Sequence, residues 1–165
     1  MQISIPIPIQ PPKVVSFTVP NQPVVYRERA VFNKAKGYIM SYLESRARAH
    51  RDLVRKYADT AMQGAAPITG DVRLSVAFFM QIPDSASKAR KEALEGAYCV
   101  SHNGDRTNLL KLCEDALKGI VMVDDEQVVD GQTAKFWSKT PRTEIRVEAL
   151  GTDRPGLEPR IKEAQ

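Results

Sequence analysis

Apolar residues recur along this chain with two different periods, and the change from one to the other marks its elements. Val72, Leu74, Val76, Phe78, Met80 and Ile82 alternate with Arg73, Ser75, Ala77, Phe79 and Gln81, which predicts a long strand with one buried face. Shorter strands are expected over Val14 to Val19, ended by Pro20-Asn21, and over Thr143 to Leu150, where Ile145, Val147 and Ala149 oppose Glu144, Arg146 and Glu148. Gln127 to Trp137 predicts a strand broken near Asp130-Gly131. Helical spacing is found over three stretches. The longest, Ile39 to Met62, lines up Leu43, Ala47, Val54, Tyr57 or Ala58, and Ala61, with His50 on the apolar side. Ser85 to Leu94 is a short basic helix with Asp84 or Ser85 as its cap. The third, from Asp105 to Lys118, buries Leu109, Leu112, Cys113, Ala116 and Leu117. Asp105 or Thr107 caps its start, and Gly119 suits a left-handed stop.

Two short stretches complete the pattern. Ile120 to Val123 reads as a buried strand that delivers Asp124 and Asp125 at its end, and Gln22 to Lys36 reads as a loop carrying Arg27 and Arg29. The order of strands and helices then predicts an α+β fold, a mixed sheet with helices packed on it. One domain over residues 14–150 is expected, with an Ile/Pro tail at 1–13 and a polar tail at 151–165.

Composition narrows the class. A chain of 165 residues with 42% hydrophobic and 27% charged residues can bury a core without disulfides or metal staples. No apolar run reaches membrane-spanning length, and the N-terminus lacks the basic start and continuous apolar stretch of a signal peptide, so a cytoplasmic protein is expected. Cys99 and Cys113 fit a reducing compartment; Cys99-x-x-His102 lacks further zinc ligands nearby. There is no Gly-rich loop for a nucleotide cofactor and no Ser-His-Asp pattern.

Charge is unevenly spread. Residues 26–61 hold nine Lys or Arg against four Asp or Glu, whereas residues 105–130 hold three against seven. A basic arm beside an acidic region suits a polyanion held by one part and cut by another, and also suits ordinary patchy surface charge. Arg48, Arg51 and Arg55 share a helix face, either a solubilising face or a track for phosphates. If the third helix's start packs against the strand end at Asp125, Asp105 and Asp125 approach, and paired carboxylates favour a hard divalent cation between them. The same residues also fit a solvated helix followed by an ordinary turn.

An Asp-x-x-Asn-Leu-x-Lys helix running into Asp-Ala-Leu, then Asp-Asp-x-Gln-Val-Val, resembles the RusA-type Holliday-junction resolvases of bacteria and phages. The matching residues are Asp105, Asn108, Leu109, Lys111, Asp115, Ala116, Leu117, Asp124, Asp125, Gln127, Val128 and Val129. The resemblance implies a RusA-like nuclease domain that cleaves four-way branched DNA with Mg²⁺, Mn²⁺ being able to substitute, and that works as a homodimer. Carried over by position, Asp105 and Asp125 become metal ligands and Lys111 the cation facing the phosphate. Arg27 and Arg29 become backbone contacts, joined on the DNA side by Arg48, Arg51, Arg55, Arg106 and Asn108. Thr107 stands where many members have a second aspartate, and a hydroxyl is a weak ligand for Mg²⁺. Asp124, Asp115 or a water on Thr107 can fill that place. Otherwise the chain is a branched-DNA binder weakened as a nuclease.

Overall fold

In the computed structural model, residues 11–100 and 104–151 are described, so most of both expected tails and His102 lie outside them. The main sheet consists of β1 (Val14–Pro20), β4 (Val72–Gln81), β5 (Val128–Asp130), β6 (Thr133–Ser138) and β7 (Arg142–Ala149). Its order is β1-β7-β4, with β5 and β6 both on the far edge of β4. β7 runs antiparallel to β1 and β4, whereas β5 and β6 run parallel to β4, so the sheet is mixed. The expected break at Asp130-Gly131 separates β5 from β6. A Cβ on Gly131 would fall 1.8 Å from the Leu74 carbonyl oxygen, so the chain passes β4 there only because that residue has no side chain.

The alternation along β4 decides the layers. Val72, Leu74, Val76, Phe78 and Met80 are buried on one face, where Val54, Ala58 and Met62 of α1 (Ser45–Met62) and Leu109, Cys113, Ala116 and Leu117 of α3 (Arg106–Leu117) pack with them. The architecture is α+β, as the pattern of periods predicts. Burial pushes the Cys113 thiol up to about 12, so it behaves as a small apolar side chain. Buried His50 has its pKa lowered, by desolvation first and Arg46 second. Among the described residues no helix is long and apolar enough to cross a membrane.

Three expectations are corrected. The stretch from Gln22 to Lys36 is not one loop, and the long helix does not begin at Ile39. Instead β2 (Glu28–Asn33) and β3 (Tyr38–Leu43) form an antiparallel hairpin outside the main sheet, and α1 starts at Ser45. The Asn33 side chain accepts from the Ala35 and Lys36 N–H groups, and Gly37 takes a positive φ, which closes the turn. Aromatic and β-branched residues on both arms favour pairing over helix. Second, Ile120 to Val123 is not a strand. The Leu117 carbonyl accepts from the Ile120 and Val121 N–H groups, so the chain turns, although Val121 and Met122 are fully buried. Third, the short basic helix α2 is Lys88–Leu94, capped by Ser87 accepting from the Arg90 N–H, and not by Asp84 or Ser85.

Candidate active site

α3 turns its apolar stripe to the core and leaves Thr107, Lys111 and Asp115, each four residues from the next, on an outward face. An extended segment ahead of β2 crosses this face. The Tyr26 N–H donates to the Asn108 carbonyl at 3.0 Å, and the Lys111 ammonium stands 4.2 Å above the centre of the Tyr26 ring. The Tyr26 hydroxyl donates to the Glu28 carboxylate, which also accepts from Ser41 Oγ at 2.7 Å. The hairpin is thus tied to α3 through one aromatic residue.

The charges respond to one another. Donation to Glu28 raises the Tyr26 pKa to about 12, helped by burial and by the negative charges of Glu28 and Asp115. Glu28 is lowered, by the hydrogen bonds from Tyr26 and Ser41 and then by the attraction of Lys111. Asp115 is raised, by partial burial first; Lys111 opposes the shift and Asp125 reinforces it. Glu114 beside it is raised by burial, then by Asp125 and Asp115. Like charges therefore crowd at the C-terminal half of α3.

Asp124 and Asp125 face the end of that helix. Lys118 Nζ lies 2.8 Å from Asp124 and 3.2 Å from Asp125. Hydrogen bonding within the aspartate pair, and then Lys118, hold Asp124 well below the usual carboxylate range. The pair sits on a 3-10 turn, Asp125–Gln127, with Asp124 as its cap. Gln127, fully buried, accepts from the Asp124 N–H at 2.8 Å and donates to the Ile68 and Gly70 carbonyls at 2.8 and 2.6 Å. The Asp-Asp-x-Gln spacing is thereby explained: the glutamine is a buried peg that fixes where the aspartates stand.

Asp105 is elsewhere. It caps the other end of α3, accepting from the Thr107 N–H at 3.3 Å. The helix is 12 residues long, so its ends stand roughly 18 Å apart. The expectation that Asp105 and Asp125 meet across a shared cation is therefore corrected: α3 itself separates them, because the chain turns at 118–122 rather than running back as a strand. The carboxylate that joins Asp125 is Asp115, which its spacing from Lys111 already placed on the right face.

The arginines divide. Arg51 pairs with Asp52 at 3.1 Å and lies within the field of Asp115 and Tyr26, at the site's edge. Arg55 reaches the Ala116 carbonyl at 3.5 Å, Arg48 the Leu43 carbonyl at 3.3 Å, and Arg29 the Glu44 carboxylate at 3.0 Å. Arg106 reaches the Thr133 carbonyl at 3.4 Å, near Asp105. Arg27 lines a separate cleft. Among the described residues no three His, Cys, Asp or Glu side chains converge as a closed metal cage. Asp115 and Asp125 nonetheless offer hard oxygen donors in a region of crowded negative charge. That fits a hard divalent ion, which is commonly bound through one or two carboxylates with water and substrate phosphate completing the shell. Pattern reading passed over Tyr26, Glu28 and Lys118. Their roles depend on the hairpin and the 118–122 turn, which no local signal near them announces.

Comparison with known proteins adds a family and a relative. The model of the endodeoxyribonuclease RusA family matches residues 20–148. The uncharacterized protein YqaN of Bacillus subtilis (strain 168) is 29% identical over 143 residues, covering 82% of this chain and 96% of that protein.

Proposed function

This chain belongs to the RusA endodeoxyribonuclease family, and from that premise we propose that it hydrolyses phosphodiester bonds at four-way DNA junctions with Mg²⁺ or Mn²⁺, at the face of α3 that carries Lys111 and Asp115. Membership supports junction-directed nuclease chemistry. The single observation that supports this location is Lys111, held over Tyr26 beside Asp115, with Asp125 close enough to raise the Asp115 pKa.

In the reaction a water oxygen adds to phosphorus in line with the deoxyribose oxygen that departs, and that oxygen ends protonated. Asp115, partly buried and facing Asp125, is an oxygen donor at this face, and the water's proton passes to solvent as the bond to phosphorus forms. Lys111 faces the non-bridging phosphate oxygens, and the Tyr26 ring keeps its ammonium from folding onto Asp115. Asp115 and Asp125 would hold a divalent ion; when bound, it supplies a more acidic water and neutralises charge on the phosphate. Asp105 keeps α3's first turn in place, and Arg51 extends the cationic rim toward DNA. Two symmetric strand cuts call for two such sites, so the working unit proposed is a homodimer acting in the cytoplasm.

Thr107 favours a second reading. It stands one turn before Lys111 on the same face, with a hydroxyl where a carboxylate would complete an acidic stripe, so the chain would bind branched DNA and cut it poorly. Incubating the protein with a synthetic four-way junction decides between the two. Paired nicks that require Mg²⁺ or Mn²⁺ and vanish in Asp125→Asn, with binding retained, support the nuclease. Binding without nicks under either ion supports the second reading.

A further inference from the structure

We propose that a cleft of about 530 Å³, walled by the segment ahead of β2, the start of α1 and the ends of β4 and β6, takes one unpaired nucleotide of branched DNA, its phosphate on Arg27 and Arg46 and its base against Trp137. The inference rests on the DNA-junction reading above and adds a binding subsite to it.

Arg27 and Arg46 line this cleft, and neither makes a side-chain hydrogen bond or ion pair with another described residue. Glu44, which also lines it, is already engaged by Arg29 at 3.0 Å and does not neutralise them. Unengaged guanidinium forks are the side chains best matched to phosphate oxygens. The far wall has a different chemistry. Trp137 offers a large aromatic surface, half-buried and set in register beside Met80 on β4. Gln22 is fixed by accepting from the Gln81 N–H at 2.8 Å, which leaves its amide donors for a ligand. Asp84 repels phosphate but accepts from the amino groups on base edges, so it orients a nucleotide with its phosphate toward the arginines.

Size and position agree with this occupant. The volume lies in the range of pockets that enclose a small ligand, and a concave pocket of that size admits one splayed base rather than a stacked pair. The bases of a four-way junction are paired, but a pair at the crossing point can lose a stacking neighbour, which lowers the cost of extruding one base into the cleft. The cleft also borders the active site: Val25 and Arg27 face into it, while Tyr26 between them supports Lys111. A base seated there would hold the branch point one residue away from the catalytic face.

Trp137 is the chain's only tryptophan, so its emission reports on this cleft alone. The test titrates the full chain, in chelator to prevent cleavage, with a dye-labelled four-way junction, reading dye anisotropy and tryptophan emission in the same cuvette. Expected is tryptophan quenching that saturates together with anisotropy. A linear duplex should bind with little quenching, and the Arg27→Ala/Arg46→Ala double variant should bind the junction at least tenfold more weakly. If anisotropy rises while tryptophan emission stays constant, the cleft assignment is overturned and the junction-binding reading stands. If anisotropy does not change even at low salt, both fall.

Discussion

Lys111 and Tyr26 meet as a cation over a ring, Nζ 4.2 Å from the ring centre, and this contact joins the third helix to the segment that leads into the hairpin. Neither residue needs the other for burial, since both sit outside the apolar cluster. The contact fixes where a positive charge stands in front of Asp115.

Removing the ring should therefore affect turnover more than binding. A partly exposed cation–π contact contributes about 0.5–2 kcal/mol, which corresponds to roughly 2- to 30-fold. Tyr26→Leu is expected to lower junction-cleavage kcat within that range with KM nearly unchanged. Tyr26→Phe, which keeps the ring, should stay within about twofold of wild type. Single-turnover cleavage of a four-way junction checks both, and equal losses in the two variants would show that the ring is not what positions Lys111.

The raised pKa values of Asp115 and Glu114 have a sign that can be tested. A carboxyl whose folded-state pKa lies above its unfolded value binds more protons in the native state between the two, so stability rises as pH falls through that window. Asp115→Asn and Glu114→Gln should each stabilise the protein at pH 7, and the gain should fade as pH drops below the ordinary carboxylate range. Urea unfolding at pH 7 and at pH 4 measures it. A variant less stable than wild type at pH 7 contradicts the crowding of these charges.

Gln127 carries a different load. Its amide satisfies two buried carbonyls and its oxygen accepts from the Asp124 N–H. In Gln127→Ala the Ile68 carbonyl keeps the Val123 N–H at 3.3 Å, while the Gly70 carbonyl and the Asp124 N–H lose their partner; at about 1–3 kcal/mol for each unpaired group, the loss by denaturant titration should be roughly 2–6 kcal/mol. Asp124 and Asp125 should become mobile with it. A variant of wild-type stability would mean that water replaces the peg without loss.

Much of this arrangement was legible before any coordinates. The strict alternation of Val72 to Ile82 gave β4 and its buried face, and the stripe from Leu109 to Leu117 gave α3, because burial on one face imposes a period on the sequence. The hairpin was hidden because its apolar residues, among them Phe32, Ile39 and Tyr42, are exposed, so no core-facing stripe distinguishes strand from helix. Ile120 to Val123 misled for the opposite reason: burial makes four apolar residues look like a strand even when the backbone turns. With a turn there, Asp125 comes to the Lys118 end of α3, away from Asp105 at its start. Lys111 and Asp115 are four apart on one face, and the turn at Gly119 brings Asp125 within the field of Asp115.

Asp105 then has a structural role that can be separated from chemistry. An N-cap contributes about 1 kcal/mol, and asparagine caps as well as aspartate. Asp105→Ala should lower stability by about that amount, whereas Asp105→Asn should not. Thermal or urea unfolding of the two variants measures the difference, and equal losses would mean that the negative charge, not the cap, matters at that end of the helix.

The most direct test of the site is calorimetric titration of Mn²⁺ into the wild-type protein and into Asp105→Asn, Asp115→Asn and Asp125→Asn. The expected result is binding weakened at least tenfold in the Asp115 and Asp125 variants and unchanged within twofold in the Asp105 variant. Loss of Mn²⁺ binding in Asp105→Asn, with Asp115→Asn unaffected, would place the ion at the opposite end of the helix and contradict the account.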